Sequence, residues 1–285
     1  MSTAGQDRRL EWEDGTAELT AKPPDNIASK IRRIGIHIND GLLGWIIPVS
    51  GLLVWELLAR LGMLPPNWLP APSVVGQTIY QLAVSGDLLK HAGITVARVA
   101  VGFLLGASAG TLLGGLTGYL PVARKLLDPT LQALRSVPSI AWVPLFLLWL
   151  GIRETSKIAL ISVGAFFPVY LNLSVAMRHV DPKLLEVGRL YRLNSFQMVR
   201  RLILPAALPE YIVGLRSGLG LAWMFVVAAE LLGASSGIGY LMVDGEMTGR
   251  ASIILASVIL FAVLGKTTDW MMNAVGRRLL GHRAR

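Results

Sequence analysis

Cysteine is missing from the chain altogether, which excludes disulfides and thiol catalysis and leaves the compartment open. Charge is scarce too: only 16% of the 285 residues are charged against 53% hydrophobic, and the mean hydropathy is +0.55. A soluble domain of this length carries far more charge, so the composition points to a polytopic membrane protein. The histidines, His37, His91, His179 and His282, fall in different segments, which argues against a metal centre. Gly265-Lys266-Thr267 looks like the end of a phosphate-binding loop, but the position of the required earlier glycine is Leu260 and the run lies in an apolar stretch. No other stretch offers a nucleotide site, so the chain is not expected to hydrolyse ATP alone and is read as a non-enzyme without cofactor or metal. Ser235 and Ser236 have no histidine or lysine placed to activate them, which makes an intramembrane protease a poor reading. No secretory signal peptide is visible, so the first apolar run is expected to remain in the mature protein.

The apolar stretches divide into six expected spans. They are Leu42 to Leu61, Ala92 to Tyr119, Leu126 to Leu150 (interrupted by Pro138 and Pro144), Lys157 to Met177, Ala207 to Leu232, and Ala251 to about Met272. A short helix from about Ser73 to Val84 and a glycine- and serine-rich segment from Gly233 to Arg250 fill the outer connections. Ile27, Ile31, Ile34 and Ile38 repeat at helical spacing among Lys30, Arg32 and Arg33, either as a helix on the inner leaflet or as the basic flank of the first span.

The net charge of +9 does not imply nucleic acid, because the basic residues sit in the gaps between apolar runs. Arg124, Lys125, Arg178, Lys183, Arg189, Arg192, Arg200, Arg201 and both basic termini fall on one side of the spans. Only Arg60, Lys90, Arg153, Lys157 and Arg250 fall on the other. The asymmetry puts the first group, with the N- and C-termini, in the cytoplasm.

Within the second span Gly102, Gly106, Gly110, Gly114 and Gly118 recur every four residues, clearing one helix face for backbone-to-backbone packing. Pro138, Pro144 and Pro168 free backbone carbonyls in successive spans, either lining a pathway or merely kinking helices. Arg98, Arg135, Arg216 and Lys266 lie inside spans, where an unpaired charge costs about 2.5–3.5 kcal/mol. Arg98 and Glu230 fall in the same outer half and are expected to interact. Lys266 and Asp269, three apart, can pair on one helix. The plainer alternative, for Glu230 and Arg216, is snorkelling to the headgroups.

A polar, strongly basic island, DPKLLEVGRLYRLNSFQMVRRLILP, runs from Asp181 to Pro205. Asp181 before Pro182 is an N-cap with proline at the first helical position, and Leu184, Leu185, Val187, Gly188 and Tyr191 follow at helical spacing. Asn194 and Gln197 have capping-box spacing and predict a second helix, whose extent Pro205 is expected to limit. The pattern predicts a helix-turn-helix presented at the membrane surface; the plainer reading is a surface amphipathic helix between spans.

Glu186-Val187-Gly188, then Arg192, then Leu202, Leu204 and Pro205 resemble the EAA signature of permease subunits in binding-protein-dependent ABC importers. That signature reads Glu-Ala-Ala, three residues, Gly, nine residues, Ile, one residue, Leu-Pro. Val187 and Gly188 stand for the alanines, Leu202 for isoleucine, and Arg192 replaces the usual glycine. Arg135-Ser136-Val137-Pro138, Pro144-Leu145 and Trp149-Leu150-Gly151 resemble the family's Arg-x-x-Pro, Pro-Leu and Trp-x-Gly pattern. GLRSGLGLAW from Gly214 and SGIGYL from Ser236 look like the subgroup serving aliphatic sulfonates, taurine, nitrate and bicarbonate.

The resemblance implies an all-α membrane protein with the type I ABC importer permease fold and six transmembrane helices. Residues 1–40 are then a cytosolic N-terminal tail, 41–285 the permease domain and 181–205 its cytoplasmic coupling loop. Two copies of a separate ABC ATPase subunit, a periplasmic or lipid-anchored substrate-binding protein, a homodimer and a bacterial inner (plasma) membrane location follow from the same resemblance. Glu186, Gly188, Arg189, Tyr191 and Leu193 would make the coupling contact and Pro205 fix the exit into the fifth span. Pro138, Trp142, Met224 and Glu230 would belong to the translocation pathway. The cargo is expected to be a small organic anion, first an aliphatic sulfonate, with nitrate, bicarbonate or taurine as alternatives because Tyr191-Arg192-Leu193 is closer to the nitrate and bicarbonate branch. An autonomous channel or secondary carrier, needing no ATPase, is the competing class.

Overall fold

The computed structural model describes residues 40–138, 141–231 and 233–281. The N-terminal tail, the Ile27 to Ile38 pattern and the last arginines, Arg283 and Arg285, lie outside those residues. Helix is the only regular structure among the described residues. In chain order the helices are α1 Asp40–Arg60, α2 Pro72–Val84, α3 Asp87–Tyr119, α4 Pro121–Ser136, α5 Trp142–Leu150, α6 Glu154–Arg178, α7 Pro182–Leu190, α8 Ser195–Leu231, α9 Ile238–Met247 and α10 Ala251–Gly281. Helices α3, α6, α8 and α10 are each long and apolar enough to cross a membrane. The chain divides into two compact units, one ending at Leu52 and one beginning at Leu53. The described part of the first is the opening of α1, with Trp45, Ile46 and Ile47 exposed.

The second unit is built on α3, α6 and α8. Glycines 102, 106, 110, 114 and 118 of α3 face Ile161, Ala165, Val169, Leu173 and Met177 of α6 in that order. Position rises along both helices together, so α3 and α6 pack in parallel, backbone against backbone, as the glycine stripe predicts. Helix α8 runs the other way: its Gly214, Gly218 and Phe225 meet Asn172, Ala165 and Gly164 of α6. Val99, Phe103, Leu160, Ile161, Val169, Ala222 and Val226 fill the buried space between the three helices.

Two parallel neighbours require the chain between them to return along the bundle, and α4 and α5 carry it. The expected third span is therefore two helices. The break is at Val137, whose backbone is extended (ψ 123°) as the residue before a proline prefers. Pro144 does not break α5, because it occupies the first turn, where an N–H has no partner within the helix. The spans also extend beyond their apolar cores: α3 starts at Asp87 and α10 reaches Gly281.

Arg216 on α8 donates to both oxygens of Asp269 on α10, at 3.0 and 3.2 Å. Asp269 is thus not the partner of Lys266, which is exposed. The forked guanidinium reaches the carboxylate bidentately across two helices, a stronger arrangement than a single flexible lysine three residues away.

Candidate functional site

The island from Asp181 to Pro205 folds as a rigid elbow. The Asp181 carboxylate accepts the Lys183 N–H at 2.8 Å and opens α7 with Pro182 at its first position. Asn194 and Gln197 form a reciprocal capping box, at 2.8 and 3.2 Å, that opens α8. Between them α7 ends in a Schellman turn: the Leu193 N–H donates to Gly188 O at 3.0 Å and the Arg192 N–H to Arg189 O at 2.9 Å. This turn puts Arg192 at φ 51°, in the left-handed region. The usual glycine of the signature belongs there because it has no Cβ to clash, whereas a side chain costs about 1–2 kcal/mol. Arg192→Gly is accordingly expected to stabilise the turn by up to about 1 kcal/mol, and Arg192→Val to destabilise it. Thermal unfolding of the purified variants reads both.

Pro205 does not limit the second helix. Helix α8 runs through it to Leu231, and just before it Val199–Ile203 form a π turn in which the Leu204 N–H donates to Val199 O. The wider turn makes room just where the proline ring would crowd the carbonyl four residues earlier.

Glu186, Arg189 and Tyr191 are exposed on the elbow and Leu193 is half-buried. Gly188, by contrast, is buried: a Cβ there would lie 2.5–2.6 Å from Met198 Sδ and Leu202 Cδ1. It therefore seats α7 on the base of α8 and does not face outward. Tyr191 is 78% exposed, and residues outside the expected set complete the surface around it: Leu190 is 82% exposed and Phe196 71%, with Val187 beside them. Leu190 stands on the side of α7 opposite Gly188, so the 188-to-202 contact turns it outward.

A second feature is a cavity of about 540 Å³ between α4, α5, α6 and α8. Pro138, Trp142 and Met224 line it together with Arg135, Ser136, Pro168 and Asn172. Glu230, expected in the same pathway, does not line this cavity. It is 1% exposed near the end of α8 and belongs to a polar network at the end of the bundle remote from the elbow.

In that network Arg98 Nη1 donates to Glu230 at 2.7 Å and to Ser236 O at 2.6 Å, while Nε and Nη2 grip Glu154 at 2.6 Å. The expected Arg98–Glu230 contact is present. Three side chains then receive the first N–H groups of α9: His91 takes Gly237 at 3.0 Å, Thr95 takes Ile238 at 2.9 Å, and Glu230 takes Gly239 at 2.8 Å. Gly237 adopts φ 114°, and a Cβ on it would strike Glu230 and Arg98. The segment from Gly233 to Arg250 is thus partly helical and tied down. His91, Thr95 and Arg98 recur at i, i+4 and i+7, so their spacing alone places them on one helix face.

Against this geometry, residues 102–281 match the family model described as the binding-protein-dependent transport system inner membrane component. The chain belongs to this family. The permease is 43% identical over 265 residues to a putative aliphatic sulfonates transport permease protein, SsuC, of Bacillus subtilis (strain 168), covering 93% of this chain and 96% of that one. It is 33% identical over 277 residues to the nitrate import permease NrtB of Synechococcus elongatus, covering 91% and 97%. With the taurine transport system permease TauC of Escherichia coli (strain K12) the identity is 31% over 233 residues, covering 80% and 85%. Among solved structures, an inward-facing crystal form of the MetNI methionine ABC transporter aligns with TM-score 0.53 at 20% identity, covering 70% of this chain and 96% of that one, a likeness of fold. The protein is an ABC importer permease subunit and a multi-pass membrane protein of the aliphatic sulfonate, taurine and nitrate subgroup.

Proposed function

We propose that the permease carries a small organic anion, first an aliphatic sulfonate, across a bacterial inner membrane, driven by two copies of a separate ATPase subunit docked on the elbow. The observation that carries the docking assignment is the exposed apolar tip of Val187, Leu190, Tyr191 and Phe196 on a turn capped at both ends. Apolar side chains held rigidly in the cytoplasm have no lipid to cover them, and a partner groove would remove them from water. Glu186 and Arg189 flank the tip with charges, while Gly188 and Pro205 hold the elbow on α8. The sulfonate assignment is supported by 43% identity to the Bacillus subtilis relative along most of both chains, against 33% for the nitrate permease.

Six spans with both termini cytoplasmic agree with the parallel packing of α3 and α6 and with the basic residues gathered at the elbow end. A homodimer supplied by a substrate-binding protein completes the scheme. Exposed residues tolerate substitution in the folded chain, so Leu190→Glu with Tyr191→Glu is expected to leave the permease inserted and stable. Loss of two apolar anchors should weaken capture of the ATPase subunit by about tenfold or more. Copurification and binding-protein-stimulated ATP hydrolysis measure this. Undiminished stimulation in the double variant would put the docking site elsewhere, and transport by the permease without any ATPase would make it an autonomous carrier.

A further inference from the structure

Two of the four basic side chains within the expected spans have carboxylate partners, Arg98 with Glu230 and Glu154, and Arg216 with Asp269. Lys266 is exposed on α10 and does not line the cavity. Arg135 is exposed as well but differs in where it stands. It lines the 540 Å³ cavity, and its guanidinium makes one long hydrogen bond, to Gln132 Oε1 at 3.4 Å; among the described residues no carboxylate lies within ion-pair distance of it.

We infer that Arg135 is the anion-binding residue of the pathway and that the cavity around it takes a head-and-tail oxoanion, a sulfonate group on a short alkyl chain. This rests on the anion-importer reading above. A guanidinium that lines a cavity and has no carboxylate partner keeps its donors open to a mobile anion. The guanidinium fork fits two oxygens of a sulfonate at once. The other polar lining side chains are turned onto their own helices: Ser136 Oγ donates to Ala133 O at 2.7 Å and Asn172 Nδ2 to Pro168 O at 2.8 Å. Arg135 is the charged group left for the headgroup, while Trp142, Phe167, Leu221, Met224 and Phe225 present apolar walls to a tail. The volume lies within the range of about 300–1,000 Å³ usual for small-molecule sites. Nitrate has a headgroup but nothing to place against those walls.

The test is equilibrium binding of 1-hexanesulfonate to the purified permease–ATPase complex in phosphatidylcholine nanodiscs, without the binding protein. Saturable binding is expected, weakened about tenfold or more by Arg135→Gln and less by Arg135→Lys, which retains the charge. From methanesulfonate to hexanesulfonate, each methylene should tighten binding two- to fourfold, at about 0.8 kcal/mol for full burial, and nitrate should compete worst. Absence of saturable binding to the unmodified complex, equal binding by Arg135→Gln, or nitrate competing as well as hexanesulfonate would each overturn the inference. So would loss of sulfonate binding in phosphatidylglycerol nanodiscs, which would make an anionic lipid the occupant. Uptake by liposomes holding the complete importer separates the two levels: hexanesulfonate uptake with Arg135→Gln unimpaired defeats the site alone, whereas no uptake of hexanesulfonate or nitrate defeats the anion-importer reading itself.

Discussion

Arg98→Leu is expected to cost the permease on the order of 3–5 kcal/mol of stability, as breaking a buried ion pair from one side does. The loss comes from what the substitution strands. Glu230 is 1% exposed, and without the guanidinium its carboxylate keeps only the Thr95 hydroxyl and the Gly239 N–H. Glu154 is more than half exposed and can turn to water, so the cost concentrates on Glu230. The same carboxylate receives α9, so its discomfort reaches the connection between α8 and α9. Adding Glu230→Gln should recover much of the loss, because an amide oxygen still accepts from Thr95 and Gly239 and no buried charge remains. Thr95→Val should cost less, about 1–3 kcal/mol, by orphaning the Ile238 N–H. Thermal unfolding of the detergent-solubilised complex, followed by tryptophan fluorescence, gives the order. If the double variant melted no higher than Arg98→Leu, lost packing would be the cause, and the electrostatic explanation would fail.

What is legible in the sequence is whatever local spacing encodes. The caps at Asp181 and Asn194 and the glycine stripe depend on residues within a turn or two of each other, and they reappear as expected. Arg98 and Glu230 pair across the chain because both stand at the same depth, a constraint the membrane supplies. The features that sequence spacing misassigns have the opposite character. Lys266 near Asp269 looks like a pair until α8 brings Arg216 closer. Glu230, grouped with Pro138, Trp142 and Met224 from sequence, stands apart from the cavity they line and is held by Thr95 and Gly239. A small residue such as Gly188 suggests close approach to a partner, but the close approach is to Met198 and Leu202 of the same chain. Proline usually breaks helices, but α8 passes through Pro205 behind a π turn that begins at Val199 and again through Pro209.

Gly106→Ala should be damaging out of proportion to one methyl group. Its Cβ would overlap the carbonyl oxygen of Ser162 and lie 2.9 Å from Ala165 Cβ. The obstacle on α6 is backbone, which cannot rotate away as a side chain does, so α3 and α6 must move apart. Gly102, Gly110, Gly114 and Gly118 have comparably close neighbours on α6. Separation at one point therefore loosens the stripe on either side. Inside a membrane no hydrophobic driving force pulls the helices back together, and the stability of the pair lies in the dispersion contacts that separation removes. Overpacking of this kind costs typically 1–3 kcal/mol, and Gly106→Val should exceed that range and prevent recovery of a folded complex. Gly115 lies on the same helix, and a Cβ there meets no atom of the chain within 4 Å. Gly115→Ala should be neutral or stabilising by up to about 1 kcal/mol, since alanine is the better helix former. Melting temperatures and membrane yields of the variants decide the matter: close packing on α6 requires Gly106→Ala to destabilise and Gly115→Ala not to, and equal behaviour would mean that general helix propensity, not contact with α6, governs α3.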